Sequence, residues 1–237
     1  MSEYTAAQPV LKVEGGEMAA YLARPQGDAR AGVLLFQEAF GVTGHIRGLA
    51  DRLAAEGYVV LAPELFHRTA PAGYAGHYDD MATAMKHLQK LTAPQLEADI
   101  RAAHAFLASY PESAGKPVAA IGFCMGGRVA YLAAATVPLA AAVSYYGGGL
   151  AALLDRAARI ACPMLFFWGG RDSHITAEHR HALSEALTAA DKDFVDVVFS
   201  QADHAFNNDE RPSFNPAAAR EAWSLRQAFW AERLPRR

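Results

Sequence analysis

Apolar residues along this chain follow two rhythms. Short continuous runs, AGVLLF (31–36), YVVLAP (58–63), PVAAIGF (117–123), AAAVSYYG (140–147), CPMLFFWG (162–169) and FVDVVFS (194–200), are bounded by Gly or Pro. Runs of this length and punctuation predict buried strands. Between them, helical spacing predicts helices at His45 to Glu56, Gln95 to Tyr110, Met125 to Thr136 and Thr176 to Ala190, with a last one around Pro216 to Arg233. Ahead of the first core run, VLKVEGGEMAAYLARP reads as an antiparallel hairpin turning at Gly15 and Gly16. Alternation of this kind specifies an α/β chain: a mostly parallel, doubly wound sheet with helices on both faces. No linker, repeat or low-complexity tract divides it, so one domain spanning 1–237 is expected. Ligands in such folds bind beyond the carboxyl ends of the strands.

Composition narrows the function classes. With 237 residues, 52% of them hydrophobic and 20% charged, the chain can bury a sizeable core. Its net charge of −3 comes from interspersed signs, so no basic stripe suggests a nucleic acid partner. The uncharged stretch from Val129 to Leu154 superficially suggests a membrane span, but Thr136, Pro138, Ser144 and Gly147 to Gly149 break it into a helix, a turn and a strand. The opening MSEYTAAQPVLKVEGG lacks the charge-then-apolar pattern of a signal peptide. Two distant cysteines make no disulfide framework. A cytoplasmic protein without membrane association is therefore expected.

One of those cysteines stands at a strand end. Cys124 follows PVAAIGF and opens the next helix in the arrangement Gly122-x-Cys124-x-Gly126-Gly127. Glycines permit a sharp strand-turn-helix there, and the helix start favours a thiolate. A thiolate nucleophile needs a base, and the base needs an orienting acid. Asp172 in MLFFWGGRDSHI and His204 in VVFSQADHAFNN occupy later strand ends, in the chain order of α/β-hydrolases. Asp203 also adjoins the histidine, but a sequence neighbour seldom faces the ring. Glu38, in LLFQEAFGVTGH, follows the first core strand, in a loop placed to influence the proton on the thiol. The backbone N–H groups of Ala39 and Met125 are the expected oxyanion hole. Tyr145, Tyr146 and Trp168 lie near strand ends and could line a pocket, as could Phe206 beside the histidine, and the MATAMKHLQK helix could cap the site. Cys162, before Pro163, reads as a packed core thiol. His179 and His181 fall on different helix faces, and no metal motif is present.

Together GFCMGG, QEAFG, GGRD and DHAFNN resemble the dienelactone hydrolase (carboxymethylenebutenolidase) family over essentially the whole chain. The resemblance implies an α/β-hydrolase fold, a Cys124–His204–Asp172 triad, and Glu38 contacting the resting thiol until substrate enters. It implies neither metal nor organic cofactor, and a small lactone or ester substrate for a monomer or homodimer. In that family two arginines hold the dienelactone carboxylate. Here one segment reads AFNNDERP, with Asn207 and Asn208, and the other, HRTAPAGYAGHYDD, offers Arg68 as a single grip. Two other classes explain parts of the pattern: a cysteine redox sensor, which accounts for Cys124 and Glu38 alone, and a catalytically silent binding module.

Overall fold

A computed structural model describes residues 4–234; the first three residues of the N-terminal segment read above lie outside it. The chain divides into two compact units, residues 1–119 and 120–237.

In the first unit, β1 (Tyr4–Ala7), β2 (Val10–Val13) and β3 (Gly16–Pro25) precede β4 (Ala31–Phe36), α1 (Gly44–Ala55), β5 (Tyr58–Pro63), α2 (Met81–Leu88) and α3 (Ala93–Ser109). The strands lie in the order β1-β3-β5-β4, with β2 also on β3. The hairpin forms as expected, Val13 opposite Gly16, and β4 and β5 pair in parallel with Val33 opposite Val60. Both are buried along their whole length, which is why they read as unbroken apolar runs. β1 was not anticipated. It is short and mostly exposed, and exists only because Tyr4 to Ala7 pair antiparallel with β3.

α3 shows how local sequence places a helix. Thr92 and Gln95 form a reciprocal capping box, Pro94 occupies the first turn, and Leu96, Ile100, Ala103 and Leu107 form the buried stripe. Asp99 on that stripe is fully buried. Arg68 satisfies it with two donors, Nη1 at 2.6 Å and Nη2 at 2.8 Å.

The second unit holds most of β6 (Val118–Phe123), then α4 (Met125–Ala134), β7 (Ala141–Tyr145), β8 (Met164–Gly169), α5 (Ala177–Ala189), β9 (Phe194–Phe199) and α6 (Pro216–Arg233), with a 3₁₀ segment over Leu150–Arg159. The strand order is β6-β7-β8-β9, and β7, β8 and β9 pair in parallel. β9 has exposed Val195 and Val198, as expected of the last strand in this order. The expected strand 140–147 stops at Tyr145 because Tyr146 turns to φ 39°. Among the described residues no helix is long and apolar enough to cross a membrane.

Candidate active site

The turn after β6 starts at Cys124. Cys124 takes φ 54° and ψ −118°, a conformation a side chain adopts at a cost of about 1–3 kcal/mol. Packing holds it there. Its N–H donates to the Tyr145 carbonyl at 3.0 Å, and its own carbonyl accepts from Gly127 N–H at 3.0 Å. The glycines allow close approach: a Cβ on Gly122 would overlap the Gly126 carbonyl, and one on Gly127 would sit 2.7 Å from Ser144 Oγ. The result is a partly exposed sulfur at the start of a helix.

The turn after β8 is locked to the turn after β9. Gly170 N–H donates to the Phe199 carbonyl at 2.8 Å and Arg171 N–H to the Ala202 carbonyl at 2.9 Å. Gly169 approaches the backbone so closely that a Cβ would stand 2.7 Å from the Ala202 and Asp203 oxygens. This clamp brings Asp172 and His204 together. Asp172 is both a turn residue and a histidine partner: one oxygen accepts from the backbone N–H groups of His174 (2.8 Å) and Ile175 (3.1 Å), the other from His204 Nδ1–H at 2.7 Å. His204 Nε2 then lies 3.1 Å from Cys124 Sγ. Asp203 is otherwise engaged, its Oδ1 accepting from the His204 backbone N–H at 2.6 Å.

Electrostatics follow this geometry. Burial pulls the imidazolium of His204 toward neutrality, but its bonds to Asp172 and Cys124, with their charges, outweigh that and raise its pKa to about 10. Burial likewise raises Asp172, and the His204 bond and charge with the two backbone donors reverse the sign, leaving it lowered. Burial pushes the Cys162 thiol up to about 11.

Of the expected pocket residues, Trp168 borders a cleft of ≈ 210 Å³ that Gly147, Gly149, Leu150, His174 and Ile175 also line. Its indole N–H donates to Asp196. Tyr145 and Phe206 are both fully buried in an aromatic cluster, where Tyr145 stacks on Phe123 at 4.6 Å and Phe206 meets Tyr146 at 5.2 Å. They back the histidine through Tyr146, whose ring lies 5.2 Å from His204. Arg68 is paired with Asp99, whose carboxylate accepts from both its terminal nitrogens.

In the first unit, Glu38 and Ala39 follow β4. Glu38 is 1% exposed, which excludes a solvated loop glutamate. Its carbonyl accepts from Gly41 N–H and Gln37 Nε2, both at 3.4 Å, and Gln37 Oε1 accepts from Leu65 N–H at 3.0 Å. Phe40 meets Tyr78 edge to face at 4.9 Å, and Ala84 of α2 packs on Ala39 and Phe40. The α2 helix thus braces the Glu38 loop. Met125 opens α4, so its N–H has no carbonyl one turn earlier to bond within the helix. Among the described residues, no three His, Cys, Asp or Glu side chains converge as metal ligands.

Sequence reasoning missed His174, which stands edge-on to His204 at 5.5 Å, and no spacing signals that.

The dienelactone hydrolase family model matches residues 18–234. The chain belongs to the dienelactone hydrolase family. A carboxymethylenebutenolidase from Pseudomonas sp. (strain P51) is 35% identical over 211 residues, covering 88% of this chain and 87% of the relative. A Yersinia pestis protein, provisionally named a carboxymethylenebutenolidase, is 38% identical over 224 residues, 89% of this chain and 82% of that one. Among solved structures, a provisionally assigned dienelactone hydrolase from Klebsiella pneumoniae subsp. pneumoniae MGH 78578 superimposes with TM-score 0.87 at 34% identity, covering 97% and 99% of the two chains. This family member is therefore a hydrolase with the α/β-hydrolase fold, as its motifs implied.

Proposed function

We propose that this family member opens a lactone or small carboxylic ester through Cys124. The observation that carries the reading is the continuous line from Asp172 through His204 to Cys124 Sγ, at 2.7 and 3.1 Å. The redox-sensor alternative gives the first of these bonds no task. The thiolate attacks the carbonyl carbon, and the Ala39 and Met125 N–H groups receive the developing oxyanion. The C–O bond breaks, His204 gives its proton to the departing alkoxide, and a thioester remains on Cys124. In a lactone the alkoxide stays tethered. His204 next takes a proton from water, hydroxide attacks the thioester, and the second tetrahedral intermediate expels the thiolate. Asp172 holds the imidazole with Nδ1–H toward itself throughout. Glu38 acts as a gate that holds the resting thiol; when substrate displaces it, His204 Nε2 takes the thiol proton, which leaves the attacking thiolate and is the proton later given to the alkoxide.

The family model's span, residues 18–234, supports reading the chain as one domain. The two free cysteines support a reducing, cytoplasmic setting. Rapid-quench mass spectrometry with a p-nitrophenyl ester tests the mechanism. The expected result is a transient acyl adduct on the peptide containing Cys124. Multiple turnovers without any adduct at that sulfur, under conditions where deacylation is slowed, would overturn the covalent route.

A further inference from the structure

The cleft of ≈ 210 Å³ that Trp168 borders takes no part in the steps above. Leu150, Trp168, Ile175 and Leu183 give it an apolar lining, each of them at most 5% exposed. The Trp168 wall is fixed in place: its indole N–H donates to Asp196, whose other oxygen accepts from Ser184 Oγ on α5 at 3.3 Å. His174 and His179 are the remaining polar side chains of the lining, and among the described residues no Asp, Glu, Lys or Arg joins them. A cleft without fixed charge favours a neutral occupant. Volume sets the size of that occupant, because an apolar cavity of about 150 Å³ accepts benzene whereas pockets for drug-sized ligands run from about 300 to 1,000 Å³. One ring fits.

Position assigns the cleft to one half of an ester. His174 lines it, with its ring edge-on to His204 at 5.5 Å and its backbone N–H donating to Asp172 at 2.8 Å. Gly147 lines it too and directly follows Tyr146, whose ring lies 5.2 Å from the same imidazole. The cleft is therefore on the histidine's side of the site. In acyl transfer the group that leaves is the one the general acid protonates, so the alcohol portion departs on that side. We infer that this cleft is the subsite for the alcohol portion of a neutral ester, and that it selects alcohols carrying one apolar ring. The inference rests on the proposal that His204 serves Cys124 in ester cleavage. The substrate class is then an ester of a small arylalkyl alcohol, of which benzyl alcohol is the simplest. Burying the ring against Leu150, Trp168 and Leu183 acts on acylation alone, since the alcohol has left before water attacks the thioester.

The test is kcat/KM of the purified protein for methyl acetate, benzyl acetate and methyl phenylacetate. The first two share one acetyl-enzyme, and the third moves the ring to the acyl side. Wild type is expected to prefer benzyl acetate to methyl acetate by about tenfold or more. Ala151 is an exposed residue of the lining, so a larger side chain there fills the cleft without disturbing a packed core. In Ala151→Trp the benzyl-to-methyl ratio should fall by about tenfold, while the ratio of methyl phenylacetate to methyl acetate holds. Near-ultraviolet circular dichroism checks the fold, and Ala151→Leu replaces the Trp variant if that one is not folded. An unchanged benzyl-to-methyl ratio in the folded variant, which includes an equal loss on every ester, overturns the inference. So does a fall confined to methyl phenylacetate, which would give the cleft to the acyl group. Failure of the covalent reading shows separately, as full esterase activity in a Cys124→Ala protein.

Discussion

The two cysteines of this chain sit at opposite ends of neighbouring kinds of segment, and the contrast supports Cys124 over Cys162 as the proposed nucleophile. Cys162 stands just before β8, buried ahead of Pro163, where loss of water raises its thiol to about 11. Cys124 stands just after β6, where the chain reverses into α4 and leaves the sulfur partly exposed, 3.1 Å from an imidazole. Both residues are small and soft, and both adjoin buried strands. What separates them is the direction of the strand: carboxyl ends in a parallel sheet open onto turns and helix starts, whereas this amino end is packed. The same chemistry at Cys162 would lack a water-accessible thiolate.

The largest effect expected from breaking this contrast is on turnover. Cys124→Ala should reduce ester hydrolysis by about 10³-fold or more, because a triad nucleophile has no substitute. Cys162→Ala should stay within about twofold of wild type while losing some thermal stability. Steady-state assays of the two purified proteins check this, and comparable activities in both would assign the wrong sulfur.

A smaller difference is expected in alkylation. Iodoacetamide at neutral pH should modify Cys124 at least about tenfold faster than Cys162, since thiolate fraction and access act together. Timed mass mapping reads both sites in one reaction. Preferential labelling of Cys162 would reverse the comparison.

The smallest effect sharpens the account of His204. Its folded pKa of about 10 lies above the ordinary 6.5, so the stability it contributes is complete below pH 6.5 and is lost as pH rises toward 10. Wild type should therefore lose about 2–4 °C more in melting temperature between pH 6.5 and 9.5 than His204→Gln does. Melting curves across that window measure the difference, and parallel declines would remove the proposed charge on His204.

Much of the fold was legible because each element carried its own punctuation. AGVLLF and YVVLAP were readable as buried strands since both faces of each are covered, and the helix expected at Pro216 to Arg233 occurs over those residues with Asn215 as its cap. β1 was not readable: YTAA has no periodicity, and pairing with β3 alone makes it a strand. The 3₁₀ segment after Gly149 was missed because LAALLDRAAR satisfies a helical pattern and a loop equally well. The candidate site divided similarly. GFCMGG advertises its turn, since only glycine fits where backbones approach so closely. The packing of Tyr145 and Phe206 in the aromatic cluster was not legible, because sequence places a ring near a strand end without showing which side is filled.

The order of strands and helices, the elbow at Cys124 and the candidacy of Asp172 and His204 were thus determined by sequence alone, because local propensity, glycine placement and chain order are properties of neighbours along the chain. Tertiary structure decided the rest. It gave Asp172 to a histidine as well as a turn, brought His204 to Cys124, and committed Arg68 to Asp99. Each of these outcomes depends on distances between residues far apart in sequence, where a few ångströms separate a bond from none, and no one-dimensional pattern carries that information.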